Sequence, residues 1–324
     1  MSFAGISQAA LPGGLLFWRR PGCICAAAVA LFLAGSVAAE HIVVGCIGDF
    51  GSGSVYEGNV ARLVKSWKPG LVITVGDNNY PSGAANTIDE HIGQFYHEFI
   101  SPYHGLYGSG AAQNRFFPSL GNHDYHTSGA KPYFNYFELP GNERYYTFTN
   151  GPVQFFCINS DPEEPDGITA NSRQAEWLQR ALDSSTTPWR LVYFHHAPYS
   201  SGLLHGSYTE ESDKMRWPFR QWGASVVLAG HDHIYERLRV DGLTYFINGL
   251  GGMSWDKFHW PPHPAGVKRF TGDFGAMRID ATETNMTFRF ITWRNEIADT
   301  HVICKRGTEA ALQKAGISCE VSPD

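Results

Sequence analysis

Five short segments of the sequence carry side chains of the types that bind metal ions in proteins. They are Gly48-Asp49-Phe50-Gly51, Gly76-Asp77-Asn78-Asn79-Tyr80, Leu120-Gly121-Asn122-His123-Asp124, Val192-Tyr193-Phe194-His195 and Gly230-His231-Asp232-His233. Taken singly, each has an ordinary explanation, because Gly-Asp pairs are common in turns and a lone histidine usually completes a hydrogen bond in the core. Together they supply carboxylate, amide, phenol and imidazole groups, which suit a pair of hard to borderline cations. The combination predicts a two-metal site.

The segments follow runs of β-branched and apolar residues that are typical of buried strands. Strands are predicted over 42–47, 71–75, 153–158, 191–194, 226–229 and 245–247, and a weaker one, interrupted by Pro118, over 115–119. Side chains from several strands converge beyond the carboxyl ends of strands in α/β sheets. The metal-binding residues should therefore meet at one edge of the protein.

Helices are predicted between several of these strands. The segment 171–182 begins with Asn171 as a cap, followed three positions later by Gln174, and further helices are expected over 55–67 and 88–100. Beyond residue 244 the pattern changes to successive strands, with an antiparallel pair over 275–279 and 286–293. The alternation predicts an α/β protein with mixed sheets that are covered by helices.

The ordered set of five motifs resembles the purple acid phosphatases within the calcineurin-like metallophosphoesterases, and is most similar to the small tartrate-resistant type. The resemblance covers about residues 42–250. It implies an α/β sandwich of two mixed β-sheets flanked by helices, with metals at the carboxyl ends of the strands. It also implies an acid phosphatase that hydrolyses phosphate monoesters by attack of a metal-activated hydroxide.

The resemblance assigns the candidate ligands to two metals. It implies that Asp49, Tyr80 and His233 bind the first metal, that Asn122, His195 and His231 bind the second, and that Asp77 bridges them.

One of these ligands is a choice between neighbours. His195 and His196 are adjacent, and the alternation of a strand directs them to opposite faces. The family's Val-x-x-His pattern selects His195, which leaves His196 to packing or to support of the site.

The pair Gly51 and Tyr80 narrows the type of metal. Many relatives in the wider superfamily have a metal-binding histidine two residues after the first aspartate, where this chain has Gly51. A phenolate is a hard anionic ligand that favours a trivalent cation. The resemblance thus implies Fe(III) at Tyr80 with Fe(II), Zn(II) or Mn(II) beside it. Another divalent pair, with Tyr80 packed beneath the site, is the alternative.

Two histidines are candidates for proton transfer to the leaving group. His123 follows Asn122 in the Gly-Asn-His-Asp motif, where the family has a histidine that contacts substrate. His205, followed by glycine, resembles the substrate-side histidine loop of the tartrate-resistant enzymes, although a surface loop is an equal alternative. An imidazole can act as the acid if its pKa lies near the working pH.

Two other functions remain open from the sequence. The same binuclear scaffold also serves phosphodiester hydrolysis, and a sequence does not give the width of a pocket. A secreted, non-enzymatic protein with structural metals is the alternative of another class, but structural sites favour closed, thiolate-rich shells.

The N-terminal 39 residues have the features of a signal peptide. Arg19 and Arg20 precede an uncharged run of small apolar residues over 23–37, and Val37-Ala38-Ala39 resembles a cleavage site. We therefore expect a secreted or periplasmic protein without a stable membrane anchor after cleavage. Loss of the two arginines changes the net charge from −6 to −8, which argues against nucleic-acid binding.

The remaining chain is expected to form one catalytic domain over 40–300, followed by a C-terminal tail over 301–324. In an oxidising compartment Cys304 and Cys319 are plausible disulfide partners, whereas Cys46 and Cys157 lie in strand-like runs where buried free thiols are usual. The expected partner is a phosphorylated small molecule or phosphoprotein, and the oligomeric state stays open.

Overall fold

In the computed structural model, which describes residues 41–322, fourteen strands form two seven-stranded sheets. The strands are β1 Ile42–Ile47, β2 Leu71–Thr74, β3 Phe116–Pro118, β4 Tyr146–Asn150, β5 Val153–Cys157, β6 Trp189–His196, β7 Val226–Gly230, β8 Tyr235–Val240, β9 Leu243–Asn248, β10 Gly266–Phe270, β11 Gly275–Ala281, β12 Asn285–Thr292, β13 Ile297–Cys304 and β14 Glu320–Val321. The predicted signal peptide lies outside the described residues.

Both sheets are mixed, as expected. The first has the order β14-β13-β12-β11-β1-β2-β3, with β1, β2 and β3 parallel and β11 antiparallel to β1. The second has the order β10-β8-β9-β7-β6-β5-β4, with β5, β6, β7 and β9 parallel. Each sheet therefore contains a parallel block whose strands end at the same edge.

The two sheets pack face to face around the main hydrophobic core. Val44 and Met277 of the first sheet lie in one buried cluster with Phe155, Leu191 and Phe246 of the second. The opposite face of each sheet is covered as well. Because both faces are buried, the parallel strands read as continuous apolar runs in the sequence.

Several helices pack on the outer faces of the two sheets, whereas the last helix of the described chain buries no residue. Their bounds are α1 Val55–Ser66, α2 Gln94–Tyr96, α3 Asn122–Tyr125, α4 Lys131–Tyr136, α5 Arg173–Asp183, α6 Glu210–Lys214 and α7 Glu309–Lys314. In α1, Val60 and Val64 pack on Val72 of the first sheet. In α5, Leu178 and Leu182 pack in a cluster with strands of the second sheet, which buries the apolar stripe of this amphipathic helix.

Two predicted helices differ in detail from the structure. Ser172, not Asn171, caps α5, because its hydroxyl accepts a hydrogen bond from Ala175 N at 3.2 Å. Gln174 instead binds Asn159 of the loop after β5, accepting from its backbone N at 2.7 Å and donating to its backbone O at 2.9 Å. Gln174 therefore joins the helix to the sheet.

The predicted helix over 88–100 is divided into a π-helical turn, Asp89–Gly93, then α2, then a 3-10 turn, His97–Phe99. The side chain of Asp89 accepts hydrogen bonds from the hydroxyls of Tyr103 at 2.7 Å and Tyr136 at 2.8 Å. A side chain at Gly93 would collide with these groups. These tertiary contacts accompany the wide first turn, and hydrophobic spacing does not reveal them.

The segment expected to be a C-terminal tail instead continues the first sheet. Strand β13 pairs with β12, and β14 pairs with β13, so the domain extends to the end of the described chain. Cys304 and Cys319 form a disulfide across α7, and Cys46 and Cys157 are buried free thiols. Within residues 41–322, the helices are too short or too polar to cross a bilayer.

Candidate metal centre

The predicted metal-binding side chains meet where the parallel blocks of the two sheets end. Asp49 follows β1, Asp77 follows β2, Asn122 lies beyond β3, His195 is the penultimate residue of β6, and His231 follows β7. Ligand atoms of Asp49, Asp77 and His195 all lie within 4.8 Å of one another. The expected convergence at one edge is confirmed.

The backbone turns sharply at three of these residues. Asp49, Asp77 and His231 have φ angles of 54°, 52° and 71°, in the left-handed region. A non-glycine residue there costs on the order of 1–2 kcal/mol, and such conformations concentrate at functional sites. At each of these residues the sharp turn lets the backbone leave the strand while the side chain stays directed at the other candidate ligands.

Asp77 lies at the middle of the cluster. Its Oδ2 accepts a hydrogen bond from Tyr80 OH at 2.9 Å and lies 3.4 Å from His195 Nε2. Its Oδ1 accepts from His123 N at 2.9 Å. Burial alone would raise the pKa of Asp77, but the adjacent His195 outweighs burial and holds it below its usual value. Asp77 is therefore ionised and touches both halves of the site.

One half of the site contains Asp49, Tyr80 and His233. Tyr80 OH lies 3.1 Å from His233 Nε2 and 3.4 Å from Asp49 Oδ1. Burial and the carboxylates of Asp77 and Asp49 raise the pKa of Tyr80 well above its usual value. Deprotonation of this phenol therefore requires a positive charge to replace its proton.

The other half contains Asn122, His195 and His231. His195 Nε2 lies 3.0 Å from Asn122 Oδ1 and 3.1 Å from His231 Nδ1. The other ring nitrogen of His195 donates to the carbonyl of Val75 at 2.8 Å, which fixes the ring and directs Nε2 inward. Burial opposes a charge on His195, but Asp77 outweighs it and raises the pKa to about 10. This half of the site, too, stabilises positive charge.

The donor set fits two cations. Two carboxylates and a phenol, together with an amide oxygen and three imidazoles, face one another in a space that offers no compensating Lys or Arg among the described contacts. Anionic oxygens and neutral nitrogens are the ligands that Fe, Zn and Mn ions take. The residues predicted as a set are brought together as a set.

His196 departs from the simple alternation of a strand. The pairing of β6 with β7 shifts register between Tyr193 and His196, and the rings of both His195 and His196 contact that of His231, at 4.8 and 4.4 Å between centroids. The expectation of opposite faces was therefore wrong. Nδ1 of His196 bonds with Ser160 Oγ at 2.9 Å, and burial lowers its pKa to about 3, so a neutral His196 supports His231.

Both predicted acid candidates lie at the border of the site. His123 donates from Nδ1 to the carbonyl of Pro81 at 2.7 Å, which leaves Nε2 3.9 Å from Asp77 Oδ2. The ring of His205 lies 4.1 Å from that of His231, and its backbone N donates to Asp232 Oδ1 at 3.2 Å. Burial lowers the pKa of His205. Both imidazoles therefore border the cluster of candidate ligands.

Several residues that support the cluster were not predicted from the sequence. Asp124 is buried and accepts from Gly121 N at 2.9 Å and from Asn78 Nδ2 at 2.8 Å, joining two of the ligand loops. Burial, with a contribution from Asp77, raises its pKa to about 7. Ser254 hydrogen bonds with Nδ1 of His233. Asp124 lies within the Gly-Asn-His-Asp motif, but Ser254 carries no local signal.

Gly51 has a steric role beside Tyr80. A Cβ at this position would lie 1.7 Å from the carbonyl oxygen of Asn78, and the Gly51 carbonyl accepts from Tyr80 N at 2.7 Å. In this backbone arrangement no side chain fits at position 51. The same close packing of the two loops therefore excludes a histidine at position 51 and places Tyr80 beside the site.

Replacing Gly51 with alanine is expected to lower the free energy of unfolding by about 1–3 kcal/mol, because the loops must separate to admit the methyl group. Thermal unfolding of the metal-free protein measures the effect. Gly70→Ala is the control, since its Cβ would have no neighbour closer than 3.6 Å. An unchanged melting temperature for Gly51→Ala would show that the two loops are not tightly packed.

Comparisons with known proteins show the family of this chain. Residues 42–235 match the family of calcineurin-like phosphoesterases, and the chain belongs to that family. A purple acid phosphatase of Glycine max is 27% identical over 259 residues, which is 75% of this chain but 52% of the relative. The tartrate-resistant acid phosphatase type 5 of Homo sapiens is 24% identical over 71% of this chain and 78% of its own length. The chain thus spans about half of the plant relative.

Solved structures share the fold. Purple acid phosphatase PPD1 from yellow lupin superposes with a TM-score of 0.66 and 18% identity, covering 82% of this chain and 54% of the lupin chain. GAP50, described as the anchor in the inner membrane complex of Plasmodium, superposes with a TM-score of 0.63 and 16% identity. The superposition covers 87% of this chain and 96% of the GAP50 chain. Because a protein described as an anchor has the same fold, the activity must be argued from the site.

Proposed function

We propose that the protein is an acid phosphatase that hydrolyses phosphate monoesters at a centre of two metal ions. The observation that carries the proposal is the division of the seven candidate ligands into two groups that share Asp77. The names of the relatives from Glycine max and Homo sapiens support the same reaction.

The candidate ligands divide between the two metal ions. Asp49, Tyr80 and His233 would hold Fe(III), and Asn122, His195 and His231 would hold Fe(II), Zn(II) or Mn(II), with Asp77 between the two. A relative from Arabidopsis thaliana is described as an Fe(3+)-Zn(2+) purple acid phosphatase. When bound, such ions polarise phosphate oxygens and lower the pKa of water toward neutrality.

The side chains around the cluster have separate tasks. His195 is held by the carbonyl of Val75, so its Nε2 stays directed at Asp77 without loss of rotamer freedom on binding. His123, held by the carbonyl of Pro81, is placed to donate a proton from Nε2 to the leaving oxygen. His205 lies across the site beside His231 and is proposed to contact the phosphate from that side.

Activity on two esters tests the proposal. The metal-loaded protein without residues 1–39 should hydrolyse p-nitrophenyl phosphate faster than bis(p-nitrophenyl) phosphate in the pH range of about 4 to 7 in which imidazole and carboxyl groups titrate. Faster hydrolysis of the diester would make the protein a phosphodiesterase. Absence of turnover on both esters would favour a protein whose metals are structural.

Replacing Tyr80 with phenylalanine tests the type of metal. We expect the iron-loaded protein to be coloured by the phenolate, and Tyr80→Phe to lose the visible absorption band because no phenolate remains. The absorption spectrum and metal content of both proteins measure the effect. Tyr107→Phe, which changes a partly exposed tyrosine outside the cluster, is the control. A colourless wild-type protein with two bound metals would contradict Fe(III) at Tyr80.

Export is proposed for the whole chain. The described Cys304–Cys319 disulfide supports an oxidising compartment, where such bonds persist. The N-terminal sequence supports secretion or transfer to a periplasm.

A further inference from the structure

A cavity of about 490 Å³ opens beside Asn122. One wall is formed by α3 and the residues that follow it. The other wall is the loop after β5. The lining includes Asn122, Tyr125, His126, Ser128, Asp161 and Glu163. The volume falls within the range of about 300–1,000 Å³ that small-molecule sites occupy. Because Asn122 is also a candidate ligand, the cavity adjoins the place where a phosphate ester would react.

Asp161 is a buried carboxyl group with a free oxygen. The residue is 4% exposed, and its Oδ1 accepts from Glu163 N at 2.8 Å. Among residues 41–322, Oδ2 accepts no hydrogen bond, and it is not one of the fully buried polar atoms, so it is accessible from the cavity that Asp161 lines. Burying a carboxylate without a full set of partners costs free energy, and a positively charged ligand would recover that cost. The free oxygen therefore favours a cation in the cavity.

The other charges near the cavity do not satisfy Asp161. None of the described lining residues is a lysine or arginine. Arg144, close to the same loop, binds Glu164 at 3.1 Å and Asp166 at 2.7 Å, so its guanidinium is engaged elsewhere. Glu163 is exposed and adds a second carboxylate to the wall. The cavity is thus negative next to a centre that binds a negative group.

We propose that this cavity binds the cationic end of the substrate, so that the preferred substrates are phosphate monoesters whose alcohol carries an ammonium group a few bonds from the ester oxygen. The inference rests on the proposed phosphatase function. The phosphate would occupy the cluster, and the leaving alcohol would extend past Asn122 toward Asp161 and Glu163. The ring of Tyr125 adds an aromatic wall, which also suits an ammonium group.

A pair of isosteric esters tests the inference. Phosphocholine and 3,3-dimethylbutyl phosphate have the same shape, but only phosphocholine is cationic. Burial raises the pKa of Asp161 to about 6, so the measurement is made at pH 7. We expect kcat/KM for phosphocholine to exceed that for the neutral ester by about 5- to 10-fold, as a partly desolvated ion pair would give.

Two variants test whether the preference for phosphocholine comes from the cavity. Asp161→Asn retains Oδ1 as an acceptor, and Glu163→Gln keeps the side-chain length. Each substitution should raise KM for phosphocholine several-fold and leave kcat unchanged, since the charge contributes equally to the ground and transition states. Neither should change kcat/KM for the neutral ester. Glu176→Gln, an acid on α5 whose side chain is 63% exposed, is the control and should leave the ratio unchanged.

The outcomes separate the two proposals. Equal kcat/KM for both esters, in a protein that hydrolyses p-nitrophenyl phosphate, would overturn the inference and leave the phosphatase function intact. If p-nitrophenyl phosphate is not hydrolysed, the phosphatase function fails. Titration calorimetry with the two esters then decides the inference. Tighter binding of phosphocholine, lost in Asp161→Asn, would support it, and equal binding would overturn it.

Discussion

Asp77→Asn is expected to reduce kcat/KM for phosphate monoesters by about a thousandfold or more, because several kcal/mol of charge stabilisation depend on the metals that this carboxylate would join. Its Oδ1 accepts from His123 N, and an amide oxygen can retain that bond. The amide nitrogen must then occupy the place of Oδ2, facing Tyr80 OH and His195 Nε2. A neutral donor at this position repels a cation from both halves of the site.

Metal analysis and kinetics on one preparation decide this prediction. We expect Asp77→Asn to bind fewer than two metals and to keep the circular dichroism spectrum of the parent. Asp183→Asn, which alters an exposed carboxyl at the end of α5, should change neither property. Full activity of Asp77→Asn without bound metal would refute the two-metal assignment.

Much of this site could be predicted because its residues lie directly beyond strands. Asp49 and Asp77 each follow a run of apolar residues that is buried on both faces, so the strand and its end are visible in one stretch of sequence. Once the strands are parallel, their ends coincide, and the side chains must meet. The strands and the meeting of their polar ends therefore follow from local pattern and one rule of sheet topology, whereas the assignment of the ligands to two metals comes from the resemblance to the purple acid phosphatases.

Two sequence predictions were wrong because they depended on tertiary contacts. His196 was expected on the far face, but the register shift between β6 and β7 brings it to His231. The C-terminal segment was expected to be a tail, yet β13 lies in the first sheet between β12 and the edge strand β14, and its mixed burial is a weak pattern for prediction. Such features depend on which strands become neighbours, and no window of sequence contains that information.

The supporting contacts are the least predictable part. Asp124 joins loops that are 46 residues apart in the chain, from Asn78 to the Gly-Asn-His-Asp motif. The bond from His233 to Ser254 joins residues 21 positions apart, one before β8 and the other after β9. A sequence names side chains with the right chemistry, whereas their hydrogen-bond partners are fixed only when the loops are placed.

Replacing His123 with asparagine is expected to reduce kcat on alkyl phosphates by about a hundredfold, the lower range for loss of a general acid. The effect should depend on the leaving group. An alkoxide must be protonated as it departs, whereas p-nitrophenolate is stable enough to leave without a proton. His123→Asn should therefore retain a much larger fraction of its activity on p-nitrophenyl phosphate than on an alkyl ester such as glycerol phosphate.

This dependence distinguishes proton donation from a structural role of His123. Its ring contacts Tyr80 at 4.3 Å between centroids, so a disturbed site would lower activity on both esters equally. Metal content should stay at the parent value, because the backbone N of residue 123 still donates to Asp77. His104→Asn, which changes an exposed histidine, is the control. An equal loss on both esters would assign His123 to positioning, and the acid would then have to be sought at His205, across the cluster beside His231.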